Sequence, residues 1–134
     1  MRPKFVRAST FAATVLTAAL ASSGAGAHHS FSAEFDIGRP IEVTGTVTKV
    51  EWTNPHAWIH LETEANGKRE QWAVEMLGIN ALVRSGVSPT TVKTGDKLTI
   101  TGYGARNGTN TANASSVKRA DTGETLWSGG NSSD

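Results

Sequence analysis

IEVTGTVTKVEW, residues 41–52, decides the fold class. Apolar and Thr residues alternate through it, and most of its side chains are β-branched. A period of two with that composition predicts a long first strand from Ile41 to Trp52. Gly45 inside it marks a bend or bulge. Working outward, Asn54-Pro55 is a turn signal, and His56 to Thr63 (HAWIHLET) reads as a second strand. Ala65-Asn66-Gly67 has hairpin chemistry, so Arg69 to Met76 becomes the third strand. Ile79 to Arg84 has helical composition, with Gly86 as its stop. Ser88-Pro89 resembles an N-cap followed by proline at the first helical position, which predicts a second helical turn ending at Gly95-Asp96. Lys97 to Tyr103 is a fourth strand and Thr111 to Ala120 holds a fifth. Asp121-Thr122-Gly123 then turns the chain into a short strand, Glu124 to Trp127. The expected fold is all-β with one short helix, in the order β-β-β-α-β-β. That is the order of a small OB-like β-barrel; a β-sandwich with a helical connection is the alternative.

The front of the chain reads as an address. Arg2, Lys4 and Arg7 precede an apolar stretch from Phe11 to Ala21, and small residues close it through Ala27. This is the three-part pattern of a cleavable secretory signal peptide over 1–27. The apolar run falls short of the roughly 20 residues that a spanning helix needs. No Arg-Arg pair occurs, which favours the general secretory route and a periplasmic destination. A cut after Ala27 makes His28 the mature N-terminus; a cut after Ala25 leaves Gly26-Ala27-His28 there. Residues 28–40 form a lead-in without clear period, 41–127 the domain, and 128–134 a small polar tail expected to lack order.

Beyond Ala27 the chain carries ten basic and twelve acidic residues, a formal charge of −2, so the +1 of the whole chain comes from the signal segment. A faintly acidic domain makes a poor nucleic-acid binder, and no second apolar run predicts membrane insertion of the mature chain. Cysteine is absent, which excludes disulfides, thiolate metal sites and a thiol nucleophile. No G-x-S-x-G, phosphate-cradling glycine loop or H-E-x-x-H occurs. No catalytic residue is assigned, and the expectation is a protein that is not an enzyme. Glu62, Glu64, Glu70 and Glu75 read as solvated strand residues.

The four histidines are His28, His29, His56 and His60. A free α-amino group and imidazole on His28 can chelate one metal ion, and amine and imidazole nitrogens in a square plane suit Cu(II). His56 and His60 sit on one strand face about 13 Å apart, at roughly 3.3 Å per residue. They cannot share an ion, so any metal site needs the N-terminus. The candidate ligands are therefore His28 with His29 or His56, and Glu34, Asp36 or water in a weaker position. Trp58 shares the face of His56 and His60, while Ala57, Ile59 and Leu61 point to the core. Trp58 and His60 are thus the candidate ligand-binding pair for a periplasmic protein partner or small molecule. Trp52 and Trp72 are expected to fill the core and Trp127 to close its end.

AHHSF (27–31), EWTNPHAWI (51–59) and TGYGARNGTNTANA (101–114) together resemble a family of small exported proteobacterial proteins, catalogued as domain of unknown function 6152. The resemblance runs from about Ala27 to Trp127. It implies an exported single domain with a β-barrel-like fold and supplies no activity or catalytic residue. Gly104 departs from the family pattern, where a larger residue is common, and predicts a looser loop before Arg106.

Overall fold

Eight elements make up residues 31–129, which the computed structural model describes: α1 (Phe31–Glu34), β1 (Phe35–Glu51), β2 (Trp58–Ala65), β3 (Lys68–Glu75), α2 (Ile79–Arg84), β4 (Lys97–Ala105), β5 (Thr111–Arg119) and β6 (Thr125–Ser128). The chain is mostly β, with a short helix between the third and fourth strands. The segment read as a signal peptide, both N-terminal histidines and residues 130–134 lie outside the described residues.

The strands form one six-stranded sheet in the order β3-β2-β1-β4-β5-β6, and its neighbours in that order are antiparallel. One further pairing turns the sheet back on itself. β3 runs parallel to the first part of β5, with Ala73, Val74 and Glu75 opposite Thr111, Ala112 and Asn113. The later part of β5 takes β6, through Val117 opposite Trp127.

Period-two burial follows the sequence closely on β2. Ala57, Ile59 and Leu61 are buried, while Trp58, His60 and Glu62 are half-buried on the other face. Leu61, Val74, Leu98 and Ile100 are wholly inaccessible and centre the core. Each such side chain contributes about 1.5–3 kcal/mol by leaving water. α2 adds Leu82 to that core. Its first residue lies beside Gly78, which has no capping side chain, so Asn54 Oδ1 accepts the Ile79 N–H at 3.0 Å instead. Trp127 is buried in the core. Trp52 and Trp72, expected to fill the core, are half-buried and pack against it from outside.

Three local readings are corrected. β1 begins at Phe35, so the second half of the expected lead-in belongs to a strand. Asp36 Oδ1 accepts the Gly38 N–H at 2.9 Å, and the pairing with β4 is irregular between Phe35 and Pro40, which breaks the period. The segment after Ser88 is a turn and not a helix. The Thr91 N–H donates to the Ser88 carbonyl and the Lys93 N–H to Asp96 Oδ2, and these local bonds replace a helical ladder. Gly104 lies inside β4, and no loose loop begins there. Arg39 lies over it, with Cδ 3.1 Å from where a Cβ would stand and Nη1 donating to the Ala105 carbonyl at 2.7 Å.

Two glycines within the strands are required by close backbone approach. A Cβ on Gly45 would stand 2.5 Å from the Glu62 carbonyl oxygen, and one on Gly102 would stand 1.9 Å from that of Asn113. Gly102 also sits at the irregularity between β4 and β5. Both contacts are with main chain, which cannot swing aside. Gly102→Ala is therefore expected to cost at least about 2 kcal/mol, the upper part of the overpacking range. Calorimetry should find a midpoint lowered by roughly 8 °C or more; an unchanged midpoint would show that the strands can part there freely.

Candidate functional site

His56 occupies a loop that is stitched to the end of β3 on every side. Thr53 Oγ1 donates to the His56 carbonyl at 3.0 Å. The Ala57 N–H donates to the Leu77 carbonyl at 3.0 Å, and the Met76 N–H returns to the Ala57 carbonyl at 2.8 Å. The imidazole is held as well. Its Nδ1 lies 3.1 Å from the Met76 carbonyl oxygen. A carbonyl only accepts, so Nδ1 carries a proton, and Nε2 is the nitrogen that bears the lone pair of a neutral imidazole in this tautomer. The side chain is 37% exposed.

Glu75 is the neighbour that the sequence reading missed. It is 6% exposed, and Oε1 lies 3.4 Å from His56 Nδ1. Asn113, itself 2% exposed, donates from Nδ2 to the same oxygen at 3.4 Å. Register explains the meeting. Tyr103 opposes Asn113, Asn113 opposes Glu75, and Glu75 opposes Trp58. Directly opposed residues share a face, so these four side chains form one row across β4, β5, β3 and β2. α1 adjoins the Tyr103 end, where the Phe31 ring meets Tyr103 edge-on at 6.0 Å and Phe35 at 5.6 Å. The expectation of a solvated Glu75 is corrected. The only hint was TANASS at 111–116, where an Asn stands between alanines in a strand of small residues.

His60 has a different environment. Its Nε2 lies 3.0 Å from Glu51 Oε2, and Lys49 Nζ bonds Glu51 Oε1. These bonds, from Lys49 first and His60 second, hold the Glu51 carboxyl below its ordinary 4.5. The structure thus gives His56 and His60 separate carboxylates. Asp36 spends an oxygen on Gly38, as described above. Trp58 is half-buried and lines a cleft with Glu34 and Arg106. Among the described residues no group of three His, Asp or Glu is placed to hold a metal ion, and no helix is long and apolar enough to cross a membrane.

Two outcomes check this geometry. Glu75→Ala leaves the buried Asn113 amide without its acceptor and is expected to cost about 1–3 kcal/mol in urea unfolding, while Glu75→Gln costs less. Glu51 should titrate below 4.5 by carboxyl NMR. Because its folded value is the lower one, the pair stabilises the fold above 4.5, and that contribution is lost as pH falls through the folded midpoint. His60→Gln should raise the midpoint only part of the way, since Lys49 remains.

No curated protein matches the chain. The model of a family of unknown function (DUF6152) matches residues 15–114, well over half of the sequence. The chain with the Glu75–Asn113 row and the His56 loop belongs to that family.

Proposed function

We propose that this is an exported, non-catalytic protein that binds Cu(II) through the mature N-terminal histidine, on an OB-type β-barrel. The barrel reading is supported by the closed circuit of pairings β1-β2-β3-β5-β4 and by the helix between β3 and β4. The observation that carries the metal reading is the bond from His56 Nδ1 to the Met76 carbonyl. Ligating histidines characteristically donate their second ring nitrogen to a carbonyl or carboxylate, which fixes the ring and leaves the other nitrogen for the metal. Here Nε2 is that nitrogen.

One imidazole does not make a site, and the remaining donors would be the His28 amine and imidazole, with His29 as the alternative to His56. Chain length supports the meeting. Phe31 is fixed on Phe35 and Tyr103, and Ser32 accepts from Arg106 Nε at 2.6 Å. Three residues span at most about 10 Å. Two strand spacings, from Tyr103 over Asn113 to Glu75, come to roughly 10 Å as well. Nitrogen donors in that number favour Cu(II) over harder ions.

A second reading is a periplasmic module that binds a protein or small ligand through Trp58 and His60. Its support is the half-exposed Trp58 ring in the wall of a cleft.

Calorimetric titration of protein cut after Ala27 tests the copper reading. The expectation is submicromolar Cu(II) binding, weakened about 10- to 100-fold by His56→Ala, the size of effect that loss of a metal-site residue produces. An added N-terminal Met should remove tight binding altogether. Binding that is micromolar or weaker and survives the added Met would overturn the proposal.

A further inference from the structure

The hairpin between β2 and β3 reaches beyond the closed part of the sheet. β1 pairs with β2 only as far as Glu62, and β5 takes β3 only from Ala73. Between those points Thr63, Glu64 and Ala65 pair with Glu70, Arg69 and Lys68 and with no further strand. Asn66 and Gly67 make the tip, at φ 53° and 72°, and both are exposed. An Asn-Gly pair has a chemistry of its own. The main-chain nitrogen after an asparagine can attack that residue's side-chain amide carbon, and glycine, which has no Cβ, hinders the attack least. The chain holds a second such pair, Asn107-Gly108, which is also exposed. What separates the two pairs is how each is held.

The attack needs the glycine amide as its anion and the asparagine Cγ free to turn toward it. At the second pair both are engaged. The Gly108 N–H donates to the Ala105 carbonyl at 3.2 Å. Asn107 Oδ1 accepts the Thr109 N–H at 3.1 Å and the Thr109 hydroxyl at 2.7 Å. A hydrogen-bonded amide loses its proton only when the bond opens, the condition that also governs hydrogen exchange. At the hairpin tip, among the described residues, the Gly67 N–H donates to no acceptor and the Asn66 side chain makes no hydrogen bond. The other described asparagines are set apart by their surroundings. Pro55 after Asn54 has no N–H, Asn80 lies in α2, Asn110 precedes the β-branched Thr111, and Asn113 is buried. We propose that Asn66 is a site of spontaneous deamidation, and that the fold protects Asn107 from the same reaction. The Gly67 nitrogen bonds to Asn66 Cγ as its proton is lost to hydroxide. The Cγ–Nδ2 bond breaks, and ammonia leaves with a proton taken from water. Water then adds to either carbonyl of the cyclic imide and breaks that C–N bond, which leaves aspartate or isoaspartate at 66. Glu64 and Glu70 balance Lys68 and Arg69 on the projecting ribbon, so the new carboxylate makes it negative. Isoaspartate also lengthens the main chain by one methylene, which disturbs the Ala65–Lys68 pair at the tip and leaves the pairing of Ala73 to Glu75 in place. The proposal is independent of copper.

The test is ageing of the folded protein in mildly alkaline buffer, then tryptic digestion and mass spectrometry against an unaged sample. Cleavage after Lys49, Lys68, Arg106 and Lys118 puts the two pairs on separate peptides, 50–68 and 107–118. Asn66 should convert at least about fivefold faster than Asn107, the equivalent of one net hydrogen bond that must open at the slower site. Both aspartate and isoaspartate should appear among its products. In urea, where neither turn persists, the two rates should come together, because glycine follows both asparagines. Thr109→Ala should speed conversion of Asn107 in the folded protein and leave Asn66 unchanged. If Asn107 converts as fast as Asn66 in the folded protein, the proposal is overturned. An Asn66 that stays intact in the folded protein overturns it too, since the hairpin would then protect its own tip. A rate ratio that persists in urea removes the fold as its cause and overturns the protection assigned to Asn107.

Discussion

The parallel pairing of Ala73, Val74 and Glu75 with Thr111, Ala112 and Asn113 is the contact on which the rest of the molecule depends. Without it the sheet would end at β3, with a row of open N–H and C=O groups. Val74 and Ala112, both wholly buried, would lose the neighbour that keeps them from water. Parallel strands need a long crossover. α2, the turn after Ser88 and all of β4 provide it, and each returns something: Leu82, Val92, and Leu98 with Ile100 all join the core. The same three residue pairs bring Asn113 to Glu75. Closure of the sheet and construction of the polar cluster are therefore one event.

A buried carboxylate is costly unless it is well partnered. Glu75 meets an amide from β5 and an imidazole from the loop before β2, two elements distant in the chain. An apolar residue at 75 would face Asn113, 38 positions away, and strand its amide. The cluster must then be kept or replaced as a unit. This is a different situation from Glu51, Lys49 and His60, which form a hydrogen-bonded row on β1 and β2 facing solvent. There the side chains face solvent, and removing one member strands no buried group.

What was legible in the sequence was whatever depends on near neighbours along the chain. Alternation gave β2 its buried face, and INALVR gave α2 with its observed bounds, Ile79–Arg84. Asn66 and Gly67 adopt the positive φ that the hairpin signal required. The failures are of two kinds. Phe35 to Pro40 and Ser88 to Thr91 were misread because short side-chain bonds, from Asp36 and among Ser88 and Thr91, redirect the backbone where periodicity is the only guide. Glu75 was misread because its burial arises from the β3–β5 pairing, and no local pattern encodes a partner so far away.

The two histidines of the His56-x-x-x-His60 segment illustrate the same division. Read as one strand, the segment would set them about 13 Å apart; in the structure β2 begins only at Trp58. Their different chemistry follows from what the register sets beside each. His60 opposes Lys49 on β1, two residues before Glu51 on the same face, and its Nε2 is engaged there. His56 precedes the strand, where the loop bonds to Leu77 and Met76 instead of β1, so its Nδ1 is the engaged nitrogen. One ring therefore uses Nδ1 on a backbone carbonyl and the other uses Nε2 on a carboxylate. A residue pattern that looks symmetric along the chain becomes one candidate ligand and one surface contact. The asymmetry comes from where β2 begins.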